Sequence, residues 1–148
     1  MPSDIIAIAS DHAGFDLKSA LAADLRDQGY QVLDLGTDGG TSVDYPDFGY
    51  AMATALREGR VARGVLICGT GIGISIAANR HPEVRAALVH DTTGARLARE
   101  HNDANVVCFG GRTTGIETAL DSLRVFLSIP FDGGERHARR VGKLSNPT

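Results

Sequence analysis

Cysteine is nearly missing from this chain: Cys68 and Cys108 are the only two among 148 residues. Both fall in apolar runs that read as strands, the pattern of reduced thiols in a cytoplasmic protein, and a secreted disulfide framework is excluded. Charge of one sign is also lacking. A formal net charge of -3 supplies no bulk attraction to nucleic acid or an anionic membrane, so neither is expected as a partner and any anion recognition must be local. No apolar run approaches the ~18 residues of a membrane span. Met1-Pro2-Ser3-Asp4 has none of the basic and apolar character of a signal peptide, so a soluble cytoplasmic protein is expected. Repeats, linkers and low-complexity tracts are absent. His81, His90 and His137 stand at no metal-ligand spacing from a cysteine or carboxylate pair, so no metal site is expected.

What is present is an ordinary globular composition, 43% hydrophobic and 22% charged, long enough for one domain over residues 1–148 with a sizeable core. Ile5 to Ala9 reads as a strand, followed by a helical pattern with Leu17, Leu21 and Leu25 that closes at Gly29. Tyr30 to Leu35 is a second strand, and a glycine-rich loop from Gly36 leads to a helix over about Asp47 to Arg57. Gly64 to Cys68 is strand three, with a helix from about Gly73 to Asn79. Arg85 to Val89 is strand four, with a helix from about Thr93 to His101 behind an N-cap in His90 to Thr93. Ala104 to Phe109 is strand five, Ile116 to Leu127 an amphipathic helix, and residues 135–141 a short basic segment. Strands alternating with helices imply a parallel sheet covered on both faces by right-handed crossovers. Ligands of such sheets bind beyond the carboxyl ends of the strands. Asp11, His12, Cys68 to Gly73, His90 and Gly110 to Arg112 all fall there.

The most informative stretch is Ile67-Cys68-Gly69-Thr70-Gly71-Ile72-Gly73. A buried strand passes through three alternate glycines into a helix, and unpaired N–H groups at the turn can face a negatively charged oxygen. Cys68 stands just before those donors, a position that favours its thiolate, and a thiolate can act as a base. A packed cysteine beside an ordinary glycine loop fits the same letters. Asp11-His12 fits acid–base or phosphate-binding groups, and equally a helix cap followed by a solvent histidine. His101 at a helix end suits the dipole, or neutral-pH proton exchange with a sugar ring. Arg136 and Arg140, four apart, could converge on one phosphate or form a solvated basic tail. Arg112, behind two glycines at a strand exit, reads as an anion contact, and Tyr45-Pro46-Asp47 as a turn with a packed aromatic or a ligand contact.

Ser10-Asp11-His12-Ala13-Gly14-Phe15, Asp44-Tyr45-Pro46-Asp47, Ile67 to Arg80, His101-Asn102-Asp103-Ala104-Asn105, Phe109-Gly110-Gly111-Arg112 and Gly134-Glu135-Arg136-His137 together resemble the ribose-5-phosphate isomerase B family. That family also includes galactose-6-phosphate and allose-6-phosphate isomerases, and the likeness spans nearly the whole chain. It implies a Rossmann-like three-layer α/β/α sandwich with a five-stranded parallel sheet, a homodimer or dimer of dimers, no metal or organic cofactor, and a sugar phosphate as substrate. By the same resemblance Cys68 matches the base that moves a proton between carbons 1 and 2, and His101 the acid for ring opening, with Asp11 or Thr70 assisting. Asp11, His12, Tyr45, Gly69, Thr70, Gly71, Ile72, Gly73 and Asn102 match substrate-binding positions. Arg112, Arg136 and Arg140 match phosphate or chain-end contacts. The family's sites draw residues from two subunits, and the segment 134–148 is expected to serve both the dimer and the phosphate.

A second subgroup of the family carries glycine at the place of Cys68 and a glutamate base at the place of Ile74, so this chain resembles the cysteine subgroup. Glu135 departs from members whose arginine follows the glycines directly, and could pair with Arg139. The activity implied is aldose–ketose isomerisation, ribose 5-phosphate to ribulose 5-phosphate, with a hexose 6-phosphate or tetrose 4-phosphate as the alternatives. A phosphate or nucleotide sensor on the same scaffold is the non-enzymatic reading. Its glycine loop follows strand three rather than strand one, against the dinucleotide fingerprint.

Overall fold

The computed structural model describes residues 4–148. Five strands, β1 (Ile5–Ser10), β2 (Gln31–Asp34), β3 (Arg63–Cys68), β4 (Ala86–Leu88) and β5 (Val106–Gly110), form one sheet in the order β2-β1-β3-β5-β4. Every pairing is parallel. Between and after them run α1 (Phe15–Asp27), α2 (Tyr45–Arg57), α3 (Ile72–Ala78), α4 (Thr92–Asn102), α5 (Ile116–Ser128) and α6 (Glu135–Leu144). The expected three-layer α/β/α, Rossmann-like arrangement is what the chain adopts.

The layers follow from strand alternation, since successive side chains of a strand point to opposite faces. Ile6 and Ile8 of β1 join Leu21 and Leu25 of α1, Ala95 of α4, and Leu123 and Phe126 of α5 in one core. Ala7 and Ala9 face the other way, with Met52 of α2, Ile74 of α3, and both cysteines. Full burial of Leu21, Leu25, Leu123 and Phe126 contributes roughly 1.5–3 kcal/mol per side chain. Small residues on the second face let α2 approach closely. A Cβ on Gly64 would run into the Met52 thioether.

Most element boundaries lie within a residue or two of those expected from sequence, the normal scatter of frayed ends. Helix α2 starts earlier than expected, because Pro46 sits in its first turn, where a missing N–H costs nothing. Residues 135–141, expected only as a basic segment, belong to the ten-residue helix α6. Strand β4 shrinks to three residues at the sheet edge.

Candidate active site

At the carboxyl edge of the sheet the strand exits are stitched together by backbone bonds. Asp11 N–H donates to Ile67 O at 3.2 Å, Gly111 N–H to Cys68 O at 2.8 Å, and Arg112 N–H to Gly69 O at 2.9 Å. The turns after β1, β3 and β5 therefore form one floor. Close approach requires the glycines there: a Cβ on Gly111 would stand 2.7 Å from Ala13 O.

The three alternate glycines have distinct reasons. Gly71 adopts φ +77 at the N-terminus of α3, a left-handed conformation that strains any other residue. Gly73 lies under the Tyr45 ring, whose Cε1 would be 2.6 Å from an added Cβ. Gly69 lies beneath Arg112, with Nη1 3.3 Å from the place of its missing Cβ. The turn thereby brings a guanidinium and a phenol to the two flanks of one loop.

Into this loop Cys68 presents its sulfur. Gly71 N–H donates to Cys68 Sγ at 3.2 Å, and Thr70 Oγ1 accepts from Ile72 N–H at 3.2 Å. Cys68 is only 4% exposed and packs among the α2/α3 core residues. Cys108 is wholly enclosed on the same face. Burial pushes the Cys108 thiol far above its ordinary range, and neighbouring Cys68 adds to the rise, so Cys108 stays neutral and chemically quiet.

Asp11 fulfils the capping reading while standing at the carboxyl edge of β1. Its Oδ1 accepts from Gly14 N–H at 3.1 Å, and the residue is 6% exposed. His12 follows on a short 3-10 turn, and its Nδ1 accepts from Val43 N–H at 3.2 Å. With Nδ1 used as acceptor, the neutral ring carries its proton on Nε2. Arg112 is exposed, and its guanidinium makes no hydrogen bond or ion pair among the described residues. Its positive charge is thus available to an incoming anion.

His101 and Asn102 lie elsewhere. Helix α4 starts at the carboxyl edge and runs back, so its last turn reaches the amino edge, where Asn105 Oδ1 accepts from Arg85 N–H at 2.8 Å just before β4. The distance from Cys68 is on the order of a strand length, roughly 15–20 Å. Within one chain the expected base and the expected ring-opening acid do not meet.

At that far edge His101 keeps company with α6. Its ring stacks on His137, with centroids 4.5 Å apart and planes 6° from parallel. A cleft of about 320 Å³ is lined by His101, Asn102, His137, Arg140, Val141 and Leu144. Burial lowers the His137 pKa, and His101 and Arg136 lower it further, partly offset by Asp132, whose Oδ2 is 3.9 Å from Nε2. Arg136 and Arg140 are exposed on α6, one turn apart and without ion-pair partners among the described residues. The pairing of Glu135 with Arg139 that the sequence suggested is not formed among them.

Sequence reasoning missed three participants: Lys18, the Val43 amide and the His137 stack. Lys18 had a signal, because a lysine next to Leu17 and three residues before Leu21 falls on the buried stripe of α1, where a charge needs a partner. The other two depend on long-range contacts with no local signature.

The residues thus form two half-sites, a thiol with glycine amides, His12 and Arg112 at one edge, and a histidine pair with two arginines at the other. The Ribose/Galactose Isomerase family matches residues 6–144. Ribose-5-phosphate isomerase B of Escherichia coli (strain K12) is 43% identical over 140 residues, 95% of this chain and 93% of that protein. D-erythrulose-4-phosphate isomerase of Pectobacterium atrosepticum is 42% identical over 130 residues, 87% of this chain and 86% of its own. Among solved structures, ribose-5-phosphate isomerase B of Clostridium thermocellum superposes with a TM-score of 0.93 at 51% identity, covering 95% of both chains. With nearly its full length matched in sequence and in fold, the chain belongs to the ribose/galactose isomerase family of aldose–ketose isomerases.

Proposed function

We propose that this isomerase interconverts ribose 5-phosphate and ribulose 5-phosphate at a site completed by a second copy of the chain. The observation that carries the reading is the placement of the Cys68 sulfur against the Gly71 amide, on the floor shared with Asp11, His12 and Arg112. His101, Asn102, Arg136 and Arg140 come from the partner, which restores the full set that the resemblance implies. Exposed Tyr45, Tyr50, Ile72 and Ile76 flank the glycine loop and provide apolar area for that docking.

His101 assists opening of the furanose ring, with Asp11 or Thr70 beside it. The Cys68 thiolate then takes the proton from carbon 2 of the aldose. The carbonyl oxygen on carbon 1 gains negative charge, and the loop amides stabilise the enediolate. Delivery of that proton to carbon 1, with the hydroxyl proton on carbon 2 passing to the carbon 1 oxygen, leaves the ketose and restores the thiolate. His12 and the arginines hold the phosphate, which fixes the reacting carbons against the sulfur.

Cys68→Ala tests this directly. Loss of at least 10³-fold in kcat is expected, on the scale of removing a general base, with ribose 5-phosphate still bound in a titration. Turnover retained in that variant would remove the thiolate from the reaction. A tetrose 4-phosphate is the second reading, favoured by the D-erythrulose-4-phosphate relative, and comparing kcat/KM for the two sugars ranks them.

A further inference from the structure

A buried cation connects the outer frame to His12. Lys18 on α1 is 2% exposed, and its ammonium donates to Asp34 Oδ1 at 2.7 Å, Asp34 Oδ2 at 2.9 Å and Thr37 O at 2.7 Å. All of its donor capacity is spent on the end of β2 and the first residues beyond it. Asp34 Oδ1 also accepts from Gly36 N–H at 2.9 Å. Ser10 N–H donates to Gly36 O, and Thr37 N–H to Ser10 O, both at 2.8 Å. Residues 36–37 are therefore clamped between Lys18 and the strand end that immediately precedes Asp11 and His12. Six residues on, the same loop supplies the Val43 N–H that caps His12 Nδ1.

We propose that Lys18 is a positioning residue for the isomerase: its buried ammonium sets the course of loop 36–44, so that the Val43 amide holds His12 as the tautomer with its proton on Nε2. His12 then offers an N–H to the anionic end of the substrate, where the other tautomer would offer a lone pair and repel it. Lys18 touches no substrate. A lysine buried at this depth only for stability would leave the His12 ring free to take either tautomer. This rests on the isomerase reading for its kinetic consequence, but the tautomer can be read without turnover.

The experiment compares wild type, Lys18→Met, Lys18→Arg, Val43→Pro and the Lys18→Met/Val43→Pro double variant. Ring 15N shifts of His12, assigned by difference against His12→Asn, report the tautomer, and ribose 5-phosphate kinetics report KM and kcat separately. In wild type the shifts should show a protonated Nε2 and a bare Nδ1. Lys18→Met should average the two nitrogens and raise KM about tenfold, with kcat within about threefold, since a weakened His12 contact with the anionic end of the substrate is lost equally from the bound substrate and the transition state. Lys18→Arg should recover part of both effects, and the double variant should be no worse than Val43→Pro alone. Unchanged His12 shifts in Lys18→Met, or KM effects that multiply in the double variant, would overturn the proposal. Should Lys18→Met fail to fold, Asp34→Asn removes the partner charge from a half-exposed position and must move the shifts the same way. If wild type turned over no sugar phosphate, the isomerase reading would fail alone. His12 shifts in inorganic phosphate titrations would still decide the role of Lys18.

Discussion

Two cysteines of the same type, on the same face of one sheet, have opposite chemical fates here, and position alone decides it. Cys68 ends β3 beneath a turn that donates an N–H to its sulfur, whereas Cys108 lies mid-strand in β5 with nothing but core around it. Because burial raises the Cys108 thiol, alkylation at pH 8 should modify Cys68, be blocked by ribose 5-phosphate, and spare Cys108 in the folded protein. Mass spectrometry of the labelled chain reads this. Cys108→Ala should keep kcat while costing about 1–2 kcal/mol for the small void it leaves, a fall of roughly 2–6 °C in Tm for a chain of this size. The sequence marked Cys68 because three glycines follow it. It gave no measure of how deep either sulfur would lie, since depth is set by α2 and α3 folding back from elsewhere in the chain.

Among the elements, α6 is the one whose role the sequence left most open. Arg136 and Arg140 on one helix face were legible from their spacing, but a basic helix with few apolar residues could equally have stood in solvent. What anchors it is His137, 9% exposed and stacked on His101, an interaction no local pattern encodes. Burial, His101 and Arg136 lower the His137 pKa, with Asp132 opposing and Arg140 adding a little. The folded state therefore binds fewer protons here than the unfolded chain, and stability falls as pH drops below the ordinary histidine value of ~6.5. Protection factors of the α6 amides, corrected for the intrinsic slowing of exchange in acid, should fall between about pH 7 and pH 5. His137→Phe, which keeps a ring against His101 and removes the charge, should flatten that dependence. The strands and the other helices were readable because each carries its own periodicity. Strand β4 was overestimated at an edge where only β5 pairs with it. Helix α2 was underestimated because Pro46 lies at its start instead of ahead of it.

At the scale of the whole molecule, alternating strands and helices settle the sheet, its covered faces and the edge where ligands gather. The same alternation carries the last residues of α4 to the opposite edge, and so the site residues inferred from family resemblance fall into two groups. The two-copy reading has a quantitative consequence. Mixing unfolded Cys68→Ala and His101→Ala chains and refolding them together should restore about a quarter of wild-type activity, because half of randomly paired dimers are mixed and each holds one intact site of two. Either variant refolded alone should stay inactive, and full silence of the mixture would place both groups in one subunit's site. A newly synthesised chain, carrying its sulfur and its imidazole a strand's length apart, would then be catalytically mute until it meets its twin. While chains are scarce the supply of working sites would climb as the square of their abundance, and only after pairing saturates would it rise in simple proportion.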